Sequence, residues 1–167
     1  MATGTILLPI LAAVSDPTNP PGLAFTATDS RPYLTFDDGS NIEGCVWSFR
    51  MPENYSSAPV AKIQWSGSSS TTTSHTCQWS VFVMALTANT DGAADAEDFA
   101  AENVVADDIL GTTAKRIQEV SLTLTNNDNL AANDYVTIQL LRDYTDATDD
   151  LPEDAWLWGM SLEYTTT

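Results

Sequence analysis

Basic residues are scarce in this sequence. The 167 residues include 6 Lys and Arg against 23 Asp and Glu, which gives a formal net charge of -17 at pH 7. A negative field of that size repels phosphate backbones and anionic lipid headgroups. We therefore expect neither nucleic acid nor a membrane surface as a partner. The acidity serves solubility in the simplest interpretation, with a bound cation or a basic partner surface as alternatives.

Groups that carry out catalysis are equally scarce. The chain has one histidine, His75, at the start of a predicted strand, and no second histidine to complete a catalytic pair or a metal site. The sequence contains neither a phosphate-binding glycine loop nor the turn that presents a nucleophilic serine. We therefore predict a protein that is not an enzyme and that needs no cofactor.

Cysteines and long apolar runs are also few. Cys45 and Cys77 fall in two different predicted strands, so they either pair as neighbours in a sheet or remain two buried free thiols. The opening MATGTILLPILAAVSD lacks a positively charged region, and Pro9 interrupts its apolar run. We expect neither a signal peptide nor a transmembrane helix.

The clearest pattern in the chain is strand alternation around residues 43–55, EGCVWSFRMPENY. Cys45, Trp47, Phe49 and Met51 fall on one face of an extended chain, and Pro52 ends the strand because it has no N–H. Similar strand patterns cover residues 23–28, 32–37, 60–66, 75–87, 115–125, 135–142 and 155–165. Residues 95–103, DAEDFAAEN, have the composition of a short surface helix with Phe99 turned inward.

These patterns predict an all-β fold, an antiparallel β-sandwich of the jelly-roll kind with one short helix. The chain divides into an N-terminal arm with a proline-rich connection, residues 1–22, and a sandwich domain, residues 23–167. The apolar arm packs on its own domain or reaches a neighbouring subunit. We interpret its large apolar residues as the candidate partner contact: Ile6, Leu7, Leu8, Ile10, Leu11 and Val14.

The aromatic residues divide by their phase along the predicted strands. Trp47, Trp65, Trp79 and Trp158 are in phase with inward aliphatic residues, which predicts core packing. Periodicity constrains Trp156 and Tyr144 least. These two are therefore the candidates for stacking against a glycan.

Carboxylates are the only abundant functional groups, and oxygen ligands are those that calcium prefers. Neither of two acidic stretches matches the EF-hand loop, so calcium is a weak prediction beside solvated loop acids. The weak candidates are Asp143, Asp146, Asp149 and Asp150, with a second set at Asp91, Asp95, Glu97 and Asp98.

Several phrases of the sequence resemble a group of small virion-associated proteins of tailed bacteriophages. They are WSFRMPENY (47–55), KIQW (62–65), DAEDFAAEN (95–103), VSLTLTNNDNLAANDYVTIQLLRD (120–143) and GMSLEYTTT (159–167). Residues 128–143 also resemble the late strands of tumour-necrosis-factor-like jelly rolls, which commonly form trimers. The resemblance carries over no catalytic residue and leaves residues 1–22 uncovered.

That resemblance implies a capsid decoration or cement protein, made in the host cytoplasm and bound to the outside of the virion. Its expected partners are the major capsid protein and two further copies of the chain in a homotrimer. The alternative from a different class is a carbohydrate-binding or host-adhesion module of a phage fibre, which would use Trp156 or Tyr144 to stack on sugars.

Overall fold

The fold is almost entirely β-structure. A computed structural model describes residues 2–39 and 41–167, and these contain eleven strands and a single-turn 3-10 helix, Ile10–Ala12. The strands are β1 Thr3–Leu8, β2 Val14–Ser15, β3 Gly22–Phe25, β4 Pro32–Phe36, β5 Glu43–Arg50, β6 Tyr55–Gly67, β7 Thr76–Leu86, β8 Asn103–Asp108, β9 Gln118–Thr123, β10 Tyr135–Arg142 and β11 Ala155–Thr166. Within the described ranges, no helix is long and apolar enough to cross a membrane.

Two antiparallel sheets form a sandwich, as the alternation predicted. The six-stranded sheet has the order β3-β4-β11-β6-β9, with β1 as an additional partner of β11. The five-stranded sheet has the order β2-β5-β10-β7-β8. The long strand β11 pairs with β6 along one side, while β4 pairs with its first residues and β1 with its second half on the other side. The antiparallel β-sandwich prediction is therefore confirmed.

The core lies between the sheets and is rich in aromatic side chains. Trp47, Trp65 and Trp79 are at most 2% exposed, which confirms the core role predicted for them. Trp79 is in edge-to-face contact with Trp65 and with Phe36, at ring-centroid distances of 6.1 and 5.2 Å. Edge-to-face pairs of this kind add roughly 0.5–1.5 kcal/mol to the stability from burial alone.

The predicted N-terminal arm is not a separate piece, because its residues form strands of the sandwich. β1 covers the half of β11 that would otherwise be an open sheet edge. Leu8 and Ile10 are 3% and 5% exposed and belong to the core, and Ile6 is half-buried against it. Leu7, Leu11 and Val14 remain 76%, 68% and 65% exposed. Some apolar residues of this segment therefore belong to the core, whereas the others lie exposed at the surface.

The short helix predicted at residues 95–103 is wrong. Residues 94–96 form a turn and a bend, and further along the segment the Ala100 N–H donates to the Val83 carbonyl of β7 at 2.9 Å. Phe99 packs on Phe82 on the outer face of the five-stranded sheet and stays 36% exposed. A helix of nine residues is marginal in water, so the sheet edge is the better partner for this backbone.

The two cysteines are free thiols in the core. Cys45 lies on β5 and Cys77 on β7, and β10 runs between these strands, so the two residues are not neighbours in the sheet. Burial raises the pKa of the Cys45 thiol to about 12. Of the two alternatives from the sequence, the structure has the pair of buried thiols.

Candidate functional site

A β-bulge in β11 turns two tryptophans to the outer face of the six-stranded sheet. Leu157 is opposite Trp65 and Gly159 is opposite Gln64, so Trp158 is an extra residue with no partner on β6. A bulge of this kind reverses the phase of alternation by adding one residue. Leu157 and Met160 therefore both face the core, while Trp156 and Trp158 are half-buried on the outside.

The core role predicted for Trp158 is therefore wrong. Simple alternation from Met160 backwards places Trp158 inside, but it does not allow for an inserted residue. The sequence holds one signal of the insertion. Leu157 and Met160 are both core hydrophobics at a spacing of three, and the glycine between them, Gly159, is a residue that often marks a bulge.

Tyr33 on β4 completes a cluster of three aromatic rings on this outer face, although Tyr33 itself is only 8% exposed. Leu34 and Phe36 of β4 face the core, so Tyr33 faces out beside β11. Its ring centroid lies 4.3 Å from that of Trp156 and 5.0 Å from that of Trp158, and the two indoles lie 6.0 Å apart. The Trp158 indole Nε1–H donates to Ser66 Oγ at 2.9 Å. The three rings therefore pack against one another on the paired strands β4 and β11.

Clefts flank the ring cluster and follow β11 across the sheet. One, of about 360 Å³, has Trp156 and Tyr33 as its aromatic wall, and a second, of about 420 Å³, has Trp158. A third, of about 210 Å³, shares Pro9 and Gln64 with the second. We name this surface the aromatic groove, and its defining residues are Phe25, Arg31, Tyr33, Lys62, Gln64, Lys115, Ile117, Trp156 and Trp158.

Basic side chains are concentrated at the aromatic groove. Lys115 Nζ lies 4.9 Å from the ring centroid of Trp156, and Arg31 and Lys62 line the neighbouring clefts. These are three of the 6 Lys and Arg in a chain of net charge -17. The hydrogen bond from Arg31 lowers the pKa of Asp29, so that pair stays ionised. Lys62 lies 3.7 Å from Glu163, which leaves this face close to neutral.

The groove combines aromatic surfaces with hydrogen-bonding side chains. Its polar side chains are lysine, arginine, glutamine, threonine, serine and tyrosine, and none of the described residues that line it is a carboxylate, thiol or imidazole. Gln64 Nε2 donates to Glu119 at 3.1 Å, so the amide is held in a fixed orientation. Concave, mostly apolar surfaces with a few fixed polar groups are typical of ligand sites.

Trp156 is the predicted glycan-stacking residue that the structure places in the groove. Tyr144, the other candidate, is half-buried in the loop after β10 and is not among the groove residues. Tyr33 and Lys115 were missed, because their position beside Trp156 depends on pairing between distant segments.

The acidic loop after β10 uses its carboxylates for protein contacts. Asp143 and Asp146 each accept a backbone N–H two residues later, from Thr145 and Thr148. Asp150 accepts the Thr76 N–H at 2.7 Å, and Asp149 forms an ion pair with Arg142 at 2.9 Å. Among the residues that the structure describes, no group of three or more His, Cys, Asp or Glu could hold a metal ion.

His75 has a local structural environment. Its Nδ1 lies 3.2 Å from Ser70 Oγ, and its carbonyl accepts the Ile109 N–H at 2.9 Å. The histidine therefore ties the loop before β7 to the end of β8.

Comparison with known proteins gives matches of structure and none of sequence. No family model matches the chain, and no curated protein does. The fold is similar to the xylan-binding module CBM15, at 12% identity over 99% of both chains with a TM-score of 0.53. It is also similar to CBM28, a module specific for non-crystalline cellulose, at 6% identity over 93% of this chain and 86% of that one with a TM-score of 0.51. These likenesses establish the β-sandwich fold.

Proposed function

We propose that this chain is a glycan-binding β-sandwich module that acts without catalysis. The observation that carries the proposal is the cluster of Tyr33, Trp156 and Trp158 beside three basic side chains, in which a bulge in β11 turns the two tryptophans outward. Of the two functions predicted from the sequence, this was the alternative, and the geometry supports it better than capsid decoration.

Sugar rings match the chemistry of such a groove. The C–H face of a pyranose ring is apolar and packs on an aromatic face, while its hydroxyl groups accept from Lys and Arg and exchange hydrogen bonds with an amide. Large aromatic side chains supply much of the binding energy at recognition sites, and truncating one commonly costs about 2 kcal/mol or more. A near-neutral groove on an acidic protein also favours an uncharged polymer.

The solved structures of similar fold suggest which glycans to test first, because their modules bind xylan and non-crystalline cellulose. The absence of a carboxylate among the described groove residues supports binding without hydrolysis, since glycoside hydrolysis uses paired carboxylates.

The experiment is a binding titration with soluble xylan and with phosphoric-acid-swollen cellulose. We expect Trp156→Ala and Trp158→Ala each to weaken binding at least about tenfold, since about 1.4 kcal/mol is a factor of ten. Tyr144→Ala is the matched control, because it removes an aromatic ring outside the groove, and it should bind like the wild type. Equal binding by all three variants, or a loss confined to Tyr144→Ala, would overturn the assignment.

A second candidate function is decoration of a virion, which the exposed apolar residues of the N-terminal segment favour. Leu7 and Val14 on strands and Leu11 on the 3-10 helix are exposed at the surface, and exposed apolar patches mark protein interfaces. In this proposal the chain is a homotrimer that binds the major capsid protein on the capsid exterior. Light scattering tests it. A trimer that Val14→Ser converts to a monomer supports the proposal, and a wild-type monomer at high concentration rejects it.

A further inference from the structure

We propose a second sugar-binding cleft on the opposite sheet, around Tyr135 and Arg50. It has a volume of about 410 Å³ and lies where β5, β10 and the loop after β7 meet. Tyr135, the first residue of the central strand β10, is 52% exposed. The choice of a sugar as ligand rests on the proposed function, but the cleft is independent of the aromatic groove.

Sheet register assembles the floor of this cleft. Tyr135 of β10 is opposite Arg50 of β5 on one side and opposite Leu86 of β7 on the other. Side chains directly opposite one another on antiparallel strands lie on the same face. The row therefore presents a cation, an aromatic ring and an aliphatic side chain on three adjacent strands.

The polar groups of the cleft are fixed before any ligand arrives. Arg50 donates from Nε to the Asn133 carbonyl at 3.3 Å and from Nη2 to Asn133 Oδ1 at 3.0 Å. These two bonds orient the guanidinium and leave its remaining N–H groups for a ligand. Asp91 accepts the Thr87 N–H through Oδ2, so its carboxylate is also held in place at the rim.

Two asparagines of the lining adopt left-handed backbone conformations. Asn89 has φ 64° and Asn133 has φ 73°. Asparagine tolerates this region better than most residues, and such positions cluster at ligand-binding sites. Both asparagines lie beside Arg50 or Asp91 in the lining, so the strained backbone shapes the polar side of the cleft.

The charges of the cleft select an uncharged, hydroxylated ring. One cation and one carboxylate cancel, and the net charge of -17 disfavours a free anion. Fixed donors and a fixed acceptor beside a flat ring suit adjacent hydroxyl groups of a sugar. With clefts on opposite sheets, one molecule would hold two glycan strands, and linked sites raise apparent affinity without new contacts.

The test is a titration of ¹⁵N-labelled protein, followed by NMR, with xylohexaose, cellohexaose, glucose, galactose and N-acetylglucosamine at about 10 mM, which detects millimolar affinities. We expect shifts at the Tyr135 and Leu86 amides and at the Arg50 Nε–H. Tyr135→Ala should abolish these shifts and leave those of the aromatic groove, whereas Trp156→Ala should do the reverse. Tyr135→Phe keeps the ring and should bind within a few-fold of the wild type.

The outcomes separate the two sites. Shifts at the groove with none at Tyr135 overturn the second cleft and leave the proposed function standing. Shifts at Tyr135 with none at Trp156 support the cleft and reject the groove. No shift at either place with any of these sugars overturns both. Arg50→Gln is the second variant and should weaken binding at the cleft around Tyr135. Unchanged affinity for the sugar would show that the guanidinium does not contact the ligand, against the proposal.

Discussion

At the scale of single residues, Arg142 shows which of its properties an alternation pattern can predict and which it cannot. It continues the inward phase of Val136, Ile138 and Leu140 on β10, so the sequence places a charged side chain in the core. Its relative exposure is 1%, and its guanidinium donates to both carboxylate oxygens of Asp149 and to the carbonyls of Phe36, Leu151 and Glu153. The pattern predicts the burial, but it does not identify the partners, which come from the loop after β10 and from the last residue of β4.

Asp149→Asn should destabilise the fold by about 3 kcal/mol, because removing one partner leaves a buried guanidinium uncompensated. Urea denaturation measures the change in the free energy of unfolding. Asp146→Asn is the matched control in the same loop, since Asp146 forms a turn with Thr148 and that turn tolerates an amide. Asp146→Asn should therefore change the free energy of unfolding far less than Asp149→Asn. Equal effects of the two substitutions would show that the ion pair contributes no more than the turn.

Asp154 predicts a dependence of stability on pH. Burial, and next the nearby Asp37 and Asp38, raise the pKa of this carboxyl in the folded state. An acid with a raised pKa destabilises the fold when ionised, so stability falls as the pH rises from its ordinary pKa, about 3.9, through the raised value. Asp154→Asn should therefore raise the free energy of unfolding by less than about 1 kcal/mol at pH 7 and leave it unchanged below about pH 3.

Asp29 supplies the control of opposite sign. The hydrogen bond from Arg31 lowers its pKa, so its contribution to stability is present at pH 7 and is lost as the pH falls through the lowered value. Asp29→Asn should therefore be less stable than the wild type at pH 7 and equal to it in strong acid. If Asp154→Asn also loses stability at pH 7, the burial of its charge is not the dominant effect.

At the scale of elements, regular strands follow from the sequence and irregular ones do not. The alternation over residues 135–142 matches β10 as observed, and β5 and β7 are close to their predicted bounds. β8 was missed because Val104 faces solvent, at 42% exposure, and only Val105 packs against the core. The bulge in β11 was also missed, because one inserted residue breaks the period-two alternation on which the prediction depends.

The bulge yields a prediction about a deletion. Removing Trp158 leaves Leu157, Gly159 and Met160 in simple alternation, so β11 should still form and the loss of stability should stay below about 2 kcal/mol. Thermal unfolding and glycan binding measure the two effects, and binding should be lost. Deleting Leu162 from the regular part of β11 is the control, because it moves Glu163 to the core face and should prevent folding. If both deletions prevent folding, Trp158 is not the inserted residue.

At the scale of the whole molecule, most of the basic side chains lie at the two proposed binding sites. Of the 6 Lys and Arg, three line the aromatic groove, Arg50 lies in the cleft of the other sheet, and Arg142 is buried. The sequence predicts the net charge and what it repels. The gathering of basic and aromatic side chains on one face depends on the order of strands in the sheets, which alternation does not determine.

The most direct measurement is the NMR spectrum of the indole N–H groups during titration with xylohexaose or cellohexaose. The chain has 5 tryptophans, so each gives its own signal. Trp47, Trp65 and Trp79 are buried, whereas Trp156 and Trp158 lie in the groove. We predict that the signals of Trp156 and Trp158 shift with the sugar while the other three stay in place. Five unmoved signals with both sugars, or shifts confined to the buried tryptophans, would contradict the proposal that this groove binds glycans.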